Sequence, residues 1–198
     1  MAITINGSGT ITGVSVGGLP DGIVDTDMLA TDAVTGAKIG SLPAGSILQV
    51  VQAEKTDVVS FTASAGVYNT IFSASITPAS TANKILIMWS SNVSAATGQR
   101  GGFRILRGST AIGIGDAAGS RVRSGQGGFN TSSSVTEQVP VSQVLLDSPS
   151  TTSSTTYTLQ CCMETSGGTT WINKSQGDSD ASSVYRSASH IILMEVAG

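Results

Sequence analysis

Five of the six arginines of this 198-residue chain, Arg100, Arg104, Arg107, Arg121 and Arg123, fall in one stretch whose positive charge is relieved by Asp116 alone. A guanidinium fork takes a carboxylate or phosphate with two parallel hydrogen bonds, so such a cluster can grip an anionic surface saccharide. It can equally pair with acids across a subunit interface, or simply solvate an edge strand. Trp171 and Tyr185 are candidates for stacking on sugar rings, although core packing is the expected place of both.

The remaining reactive side chains do not assemble into a recognisable catalytic set. His190 is the single histidine and opens an apolar terminal run, with Ser187, Ser189 and Ile191 around it and no G-x-S-x-G elbow anywhere. It is read as structural. Cys161 and Cys162 are adjacent, a spacing that rarely satisfies disulfide geometry, and they sit in a regular strand pattern with no activating motif. Two reduced thiols filling space is the expected state, and two cysteines with one histidine make a zinc site improbable. The run "GIGDAAG" (113–119) lacks both the G-x-G-x-x-G spacing and a Gly-Lys-Ser/Thr ending, so it reads as a turn or a glycine-rich strand. Asp178 and Asp180 stand two apart and could seed a calcium site, but the rest of an oxygen-ligand loop is missing and a solvated loop is expected. The few acids of the body show no pairing for glycan hydrolysis. The expectation is a non-enzyme that needs no cofactor or metal.

The elements that must position these residues follow from composition. Charged residues make up 12% of the chain and the polar surface falls to Ser, Thr, Asn and Gly, a balance that suits β structure rich in turns. "VYNTIFSASIT" alternates, placing Tyr68, Thr70, Phe72, Ala74 and Ile76 on one face. "TTYTLQCCMET" places Tyr157, Leu159, Cys161 and Met163 inward, with Thr158, Gln160, Cys162 and Glu164 outward. Further strands are expected at "SILQVVQA", "VVSFTA", "GGFRILRG", "TAIGIG", "SVTEQVPVSQVLL" and "TTWINKS". About nine strands over residues 46–198 suit a β-sandwich of jelly-roll type. "KILIMW" (84–89) and "HIILMEV" (190–196) are apolar on both faces, which requires cover from outside the sandwich. A subunit interface is its simplest source.

Residues 1–45 differ in character. All nine aromatics follow them, they carry Asp21, Asp25, Asp27 and Asp32 against Lys38, and "SLPAGS" (41–46) reads as the joint to the body. Short Thr/Val/Ile alternations at 3–5 and 10–16 read as strands. The stretch 23–40 is too thinly apolar for a core of its own, so Val24, Met28, Leu29, Val34 and Ile39 are expected to face a shared threefold axis. The chain is therefore expected to be a homotrimer. A net charge of −3, balanced beyond residue 45, gives no basic surface for nucleic acid. No apolar run is long enough to span a membrane, and the start lacks a secretory signal, which points to synthesis in a cytoplasm.

The segments "AITINGSGTITGVSVGGLPDG", "DMLATDAVTGAKIG" and "LPAGSILQVVQ" resemble the N-terminal parts of tail-fibre and related virion proteins of tailed phages, cyanophages especially. "ANKILIMWSSNV", "GGFRILRGSTAIGIGDAAGSR", "LDSPSTTSSTTYTLQ" and the final "ILMEVAG" are similar to the C-terminal domain of the same group. The resemblance covers nearly the whole chain. It implies a homotrimeric virion protein, on the tail or baseplate rather than the head, with an N-terminal segment docked on other virion proteins. It also implies a distal β domain that meets the host surface, host glycan included. A long shaft is missing, so a short tail fibre or spike is expected, with a capsid decoration protein as the alternative and a glycan-cleaving spike behind both.

Overall fold

Along Thr155–Met163 the side chains of Tyr157, Leu159, Cys161 and Met163 are buried to 1% exposure or less, while Thr158 and Gln160 between them keep some solvent contact. A strand with one face on a core alternates in this way. The pattern recurs through the computed structural model, which describes residues 42–96, 99–131 and 134–198 and the backbone of residues 4–5 and 11–12. Every regular element among the described residues is a β-strand.

The chain divides into two units, Met1–Leu42 and Pro43–Gly198. In the first, β1 (Thr4–Ile5) and β2 (Ile11–Thr12) pair antiparallel, with Thr4 opposite Thr12 and Ile5 opposite Ile11. The expected axis residues Val24, Met28, Leu29, Val34 and Ile39 lie outside the described residues.

The second unit contains β3 (Ile47–Lys55), β4 (Val59–Thr62), β5 (Asn69–Ile76), β6 (Lys84–Ala95), β7 (Arg100–Arg107), β8 (Thr110–Ile112), β9 (Gln126–Asn130), β10 (Val139–Asp147), β11 (Thr155–Met163), β12 (Thr169–Ile172) and β13 (Ser189–Val196). The long β6 organises one sheet. β10 pairs along one of its edges, while β13 and β12 lie end to end along the other, followed by β3 and β4 respectively. In the other sheet β11 lies between β5 and β7, and β8 and β9 share the far edge of β7. With β4 and β12 set aside and β8–β9 taken as one broken strand, eight strands in chain order run 1-8-3-6 in one sheet and 2-7-4-5 in the other. That antiparallel order is a jelly roll, the fold expected from the sequence.

The core lies between the sheets. Ile85, Ile87 and Trp89 of β6 and Ile191 and Leu193 of β13 meet Phe103 and Ile105 of β7 and Tyr157 and Leu159 of β11. The Trp89 and Phe103 rings stand 5.3 Å apart at a tilt of 33°, a separation at which aromatic pairs attract. The expected alternation in β5 holds at Ala74 and Ile76 and breaks above them. Leu159 faces Phe72 but the next residue, Gln160, faces Thr70, so Ile71 is an extra residue in β5. This bulge turns Ile71 into the core at 6% exposure and leaves Thr70 at the surface.

The chain enters the jelly roll beside its C-terminus: Gly45 N–H donates to Ala197 O and Ala197 N–H to Ser46 O, both at 2.8 Å. At this entry end Glu195 is 1% exposed. Its carboxylate accepts from Gln49 Nε2, Ala79 N and Asn83 Nδ2 at 2.5–2.6 Å. Burial pushes its acidity down, but these donors and the backbone of Ser80 outweigh it and hold the carboxyl below the usual glutamate range.

Candidate functional site

The two outer faces of the sandwich differ in chemistry. On the β6 sheet, Val50, Met194, Leu86 and Leu146 lie side by side across four strands, and Ile192, Met88 and Val144 form the next rung beside Gln52. The members on the edge strands are exposed in the single chain, Val50 57%, Leu146 53% and Val144 64%, while Leu86, Met88, Ile192 and Met194 between them are half-buried. The run that looked apolar on both faces is therefore apolar on both faces, with one of them open. Below these rungs the polar His190, Ser90 and Ser142 take over beside Glu54, whose Oε1 stands 3.9 Å from His190 Nδ1.

On the other sheet the outer face is polar and internally bonded. Ser75 and Thr156 share a hydrogen bond of 2.8 Å, Gln160 Nε2 donates to Thr70 Oγ1 at 3.1 Å, and Arg104 Nε donates to Gln160 Oε1 at 2.9 Å. Arg104 also stacks on the Tyr68 ring, 3.8 Å from its centre. Cys162 points outward as expected, yet it is 3% exposed because Tyr68 and Ser124 lie over this part of the sheet. Burial raises the Cys162 thiol and raises the deeper Cys161 thiol further, so both remain protonated near neutral pH.

The five clustered arginines separate. Arg100 and Arg104 are an even number of residues apart on β7 and share its outer face, whereas Arg107 turns the other way. Its Nη1 donates to Asp147 Oδ1 at 2.8 Å, and Asp147 Oδ2 accepts from the buried Tyr157 hydroxyl at 2.7 Å. Arg107 thus ties β7 to β10 and is committed inside the chain. Arg121 and Arg123 lie on the loop after β8, where Arg121 Nη1 donates to Ala118 O and Arg123 Nε to Gly115 O. The side chain of Arg100 is 62% exposed and 3.9 Å from Glu164, beyond hydrogen-bonding distance. The run 113–119 is loop, with Gly113 and Gly119 at positive φ.

Other candidates have found partners that sequence spacing does not disclose. Asp178 accepts from Arg186 Nε at 2.9 Å and lies 3.3 Å from Lys174 Nζ, so cations of the chain itself occupy the place considered for calcium. Arg186 chiefly, then Lys174, holds its carboxyl below the usual aspartate range. Among the described residues, no three His, Cys, Asp or Glu side chains stand together as a metal set. Trp171 is half-buried with Lys174 Nζ 5.3 Å from its ring, while Tyr185 is 64% exposed.

A cavity of about 200 Å³ opens on the polar outer face, where the start of β7, the end of β11 and the loop before β9 converge. Tyr68, Arg100, Gly102, Val122, Gly128 and Glu164 contribute to its lining. Sequence spacing could not find it, because Gly102 and Gly127 meet only through the pairing of β7 with β9.

No protein-family model matches the chain, and no curated protein matches it. Among solved structures it is similar to that of the Gx strain of infectious bursal disease virus, at 14% identity over 76% of this chain and 36% of that one, with a TM-score of 0.38. T=1 particles derived from infectious bursal virus match at 14% identity over 75% and 36%, with a TM-score of 0.40. The VP2 subviral particle of the same virus matches at 15% over 75% and 37%, with a TM-score of 0.34. The chain spans little more than a third of those chains. At these scores the fold assignment rests on the strand order and register given above.

Proposed function

We propose that this chain is a virion structural protein without catalytic activity: a short trimeric tail fibre or spike. Residues 1–45 attach it to the tail or baseplate, and the jelly roll contacts the host surface. The observation that carries this reading is the open apolar face of the β6 sheet. Four strands spaced about 4.8 Å apart put the outer two roughly 14 Å from each other. Soluble monomers rarely leave contiguous apolar patches larger than a few hundred Å² uncovered. Three copies around an axis bury such a face and leave the polar sheet outermost. The resemblance of the N-terminal and body segments to tailed-phage fibre proteins supports a virion as the place where that happens. Three weak surface contacts per fibre, multiplied over several fibres, then give firm adsorption.

A head-decoration trimer uses the same architecture, so particle location decides between them. Cryo-microscopy of intact particles is expected to show the protein at the tail, and density on the capsid overturns the fibre reading. Light scattering of the purified chain is expected to give three times the 20.0 kDa mass of one copy. A single-copy mass removes the trimer.

A further inference from the structure

The cavity on the polar sheet lies at the end of β11 remote from the point where the chain enters the jelly roll, about 26 Å along that strand. Its floor is part backbone and part Ser124, whose side chain stands over Gly102 and Gly127. Gly102 faces Gly127 across the β7–β9 pair, and Gly128 is the bulged residue that β7 does not match. At φ +79° Gly128 leaves empty space where a side chain would stand. Tyr68 forms a wall, fixed by its hydroxyl donating to Arg123 O at 2.9 Å and by Arg104 on its ring. Val122 lines the cavity from the loop and is 51% exposed. At the rim Arg100 and Glu164 stand 3.9 Å apart with most or much of their side chains in solvent. Arg100, Arg104, Arg121 and Arg123 belong to the strand and loop that build this corner, against Asp116 and Glu164.

We infer that this cavity binds one acidic sugar ring of the uronate type, at the end of a surface glycan. The uncovered backbone at Gly128 lets a ring approach closely, and the volume admits a single ring. Arg100, with no hydrogen-bonded partner of its own at the rim, takes the sugar carboxylate in a bidentate grip. Glu164 accepts from ring hydroxyls, which a neutral or amide-bearing rim would do less strongly. The assignment rests on the receptor-contact reading above and names the site that makes the contact.

The test is saturation-transfer NMR on the full chain with glucuronate, glucose and inorganic sulfate as probes. Glucuronate is expected to bind roughly tenfold more tightly than glucose, the increment of one charge-assisted bidentate contact. Sulfate at equal concentration is expected not to displace it. Arg100→Gln should erase the preference for the acid, and Val122→Trp should block both sugars while the thermal midpoint stays in place. Absence of glucuronate binding, equal binding of glucose, displacement by sulfate, or unchanged binding in Arg100→Gln each overturns the assignment. A protein found at the tail tip that ignores glucuronate rejects this cavity and leaves the fibre reading standing. Density on the head rejects the fibre reading whatever the sugars do.

Discussion

Glu195 belongs to the strand "HIILMEV", where its neighbours are aliphatic, and the structure shows why a carboxylate is tolerated there. Three short hydrogen bonds from Gln49, Ala79 and Asn83 replace the water it has lost. Because its pKa is depressed in the fold, its contribution is complete above the unfolded glutamate value of about 4.3 and is lost as pH falls through the lower folded value. Urea unfolding of the wild type should therefore weaken on acidification below about pH 4.3. Glu195→Gln should be less stable at neutral pH and flatter in the acid range, since the other carboxylates are common to both proteins. Parallel acid profiles would remove Glu195 as the cause. Asp147 makes a comparable demand: Tyr157→Phe leaves one of its buried oxygens without a donor and should cost about 1–3 kcal/mol in chemical unfolding. The roles of these two acids were not legible in sequence. The partners of Glu195 lie far away in the chain and those of Asp147 sit on other strands, β7 and β11, and nothing local separates either acid from surface acids. The division of the arginines was legible in part, because parity along β7 already sets Arg100 and Arg104 apart from Arg107.

At the scale of elements, the bulge in β5 makes a prediction opposite to simple alternation. Strict period two buries Thr70 and exposes Ile71, whereas the register shift against Leu159 and Gln160 reverses the two. Ile71→Ala should therefore cost about 2–4 kcal/mol in denaturant unfolding, while Thr70→Ala should cost less than about 1. Similar losses at both sites would mean that the bulge is absent. Alternation revealed β11 because one of its faces lies on the core and the other carries Thr and Gln, so side-chain chemistry and burial agree. It revealed β6 and β13 as doubly apolar for the same reason. It could not reveal β9, whose "QGGFN" carries two glycines and no alternation. That strand exists because β7 offers it an edge, and the crowding there shows in β7 itself: a Cβ on Gly101 would stand 2.6 Å from the Phe129 ring of β9 and 2.3 Å from Cys162 O of β11. Glycine in β7 thus reports tertiary crowding, which reading "GGFRILRG" as a strand does not disclose. The cavity inherits the same illegibility, since β7, β9 and β11 build it together.

For the whole molecule, the division of chemistry between the faces is the property that a single residue can test without harming the fold. Val144 is 64% exposed on β10, the edge strand of the apolar face, and is not among the side chains packed on the core. Val144→Glu should change the unfolding free energy of an isolated chain by no more than about 0.5 kcal/mol, the usual range for surface substitutions. In an assembly that packs this face, the same carboxylate enters an apolar contact without a partner, which is costly. The variant should therefore weaken the trimer, so that its light-scattering mass falls on dilution where that of the wild type does not, with the wild-type far-UV spectrum retained. A trimer as resistant to dilution and to protease as the wild type would show that the β6 sheet is not the contact between copies. Leu29→Asp with Ile39→Asp tests the other proposed contact, the axis of the N-terminal segment. If both contacts hold the trimer, each variant alone should loosen it and the combination should dissociate it completely. If the N-terminal axis suffices, Val144→Glu should leave the mass unchanged and alter only the protease sensitivity of the jelly rolls. The two results assign the hidden apolar surface to one region or to both, and with it the part of the chain that governs assembly.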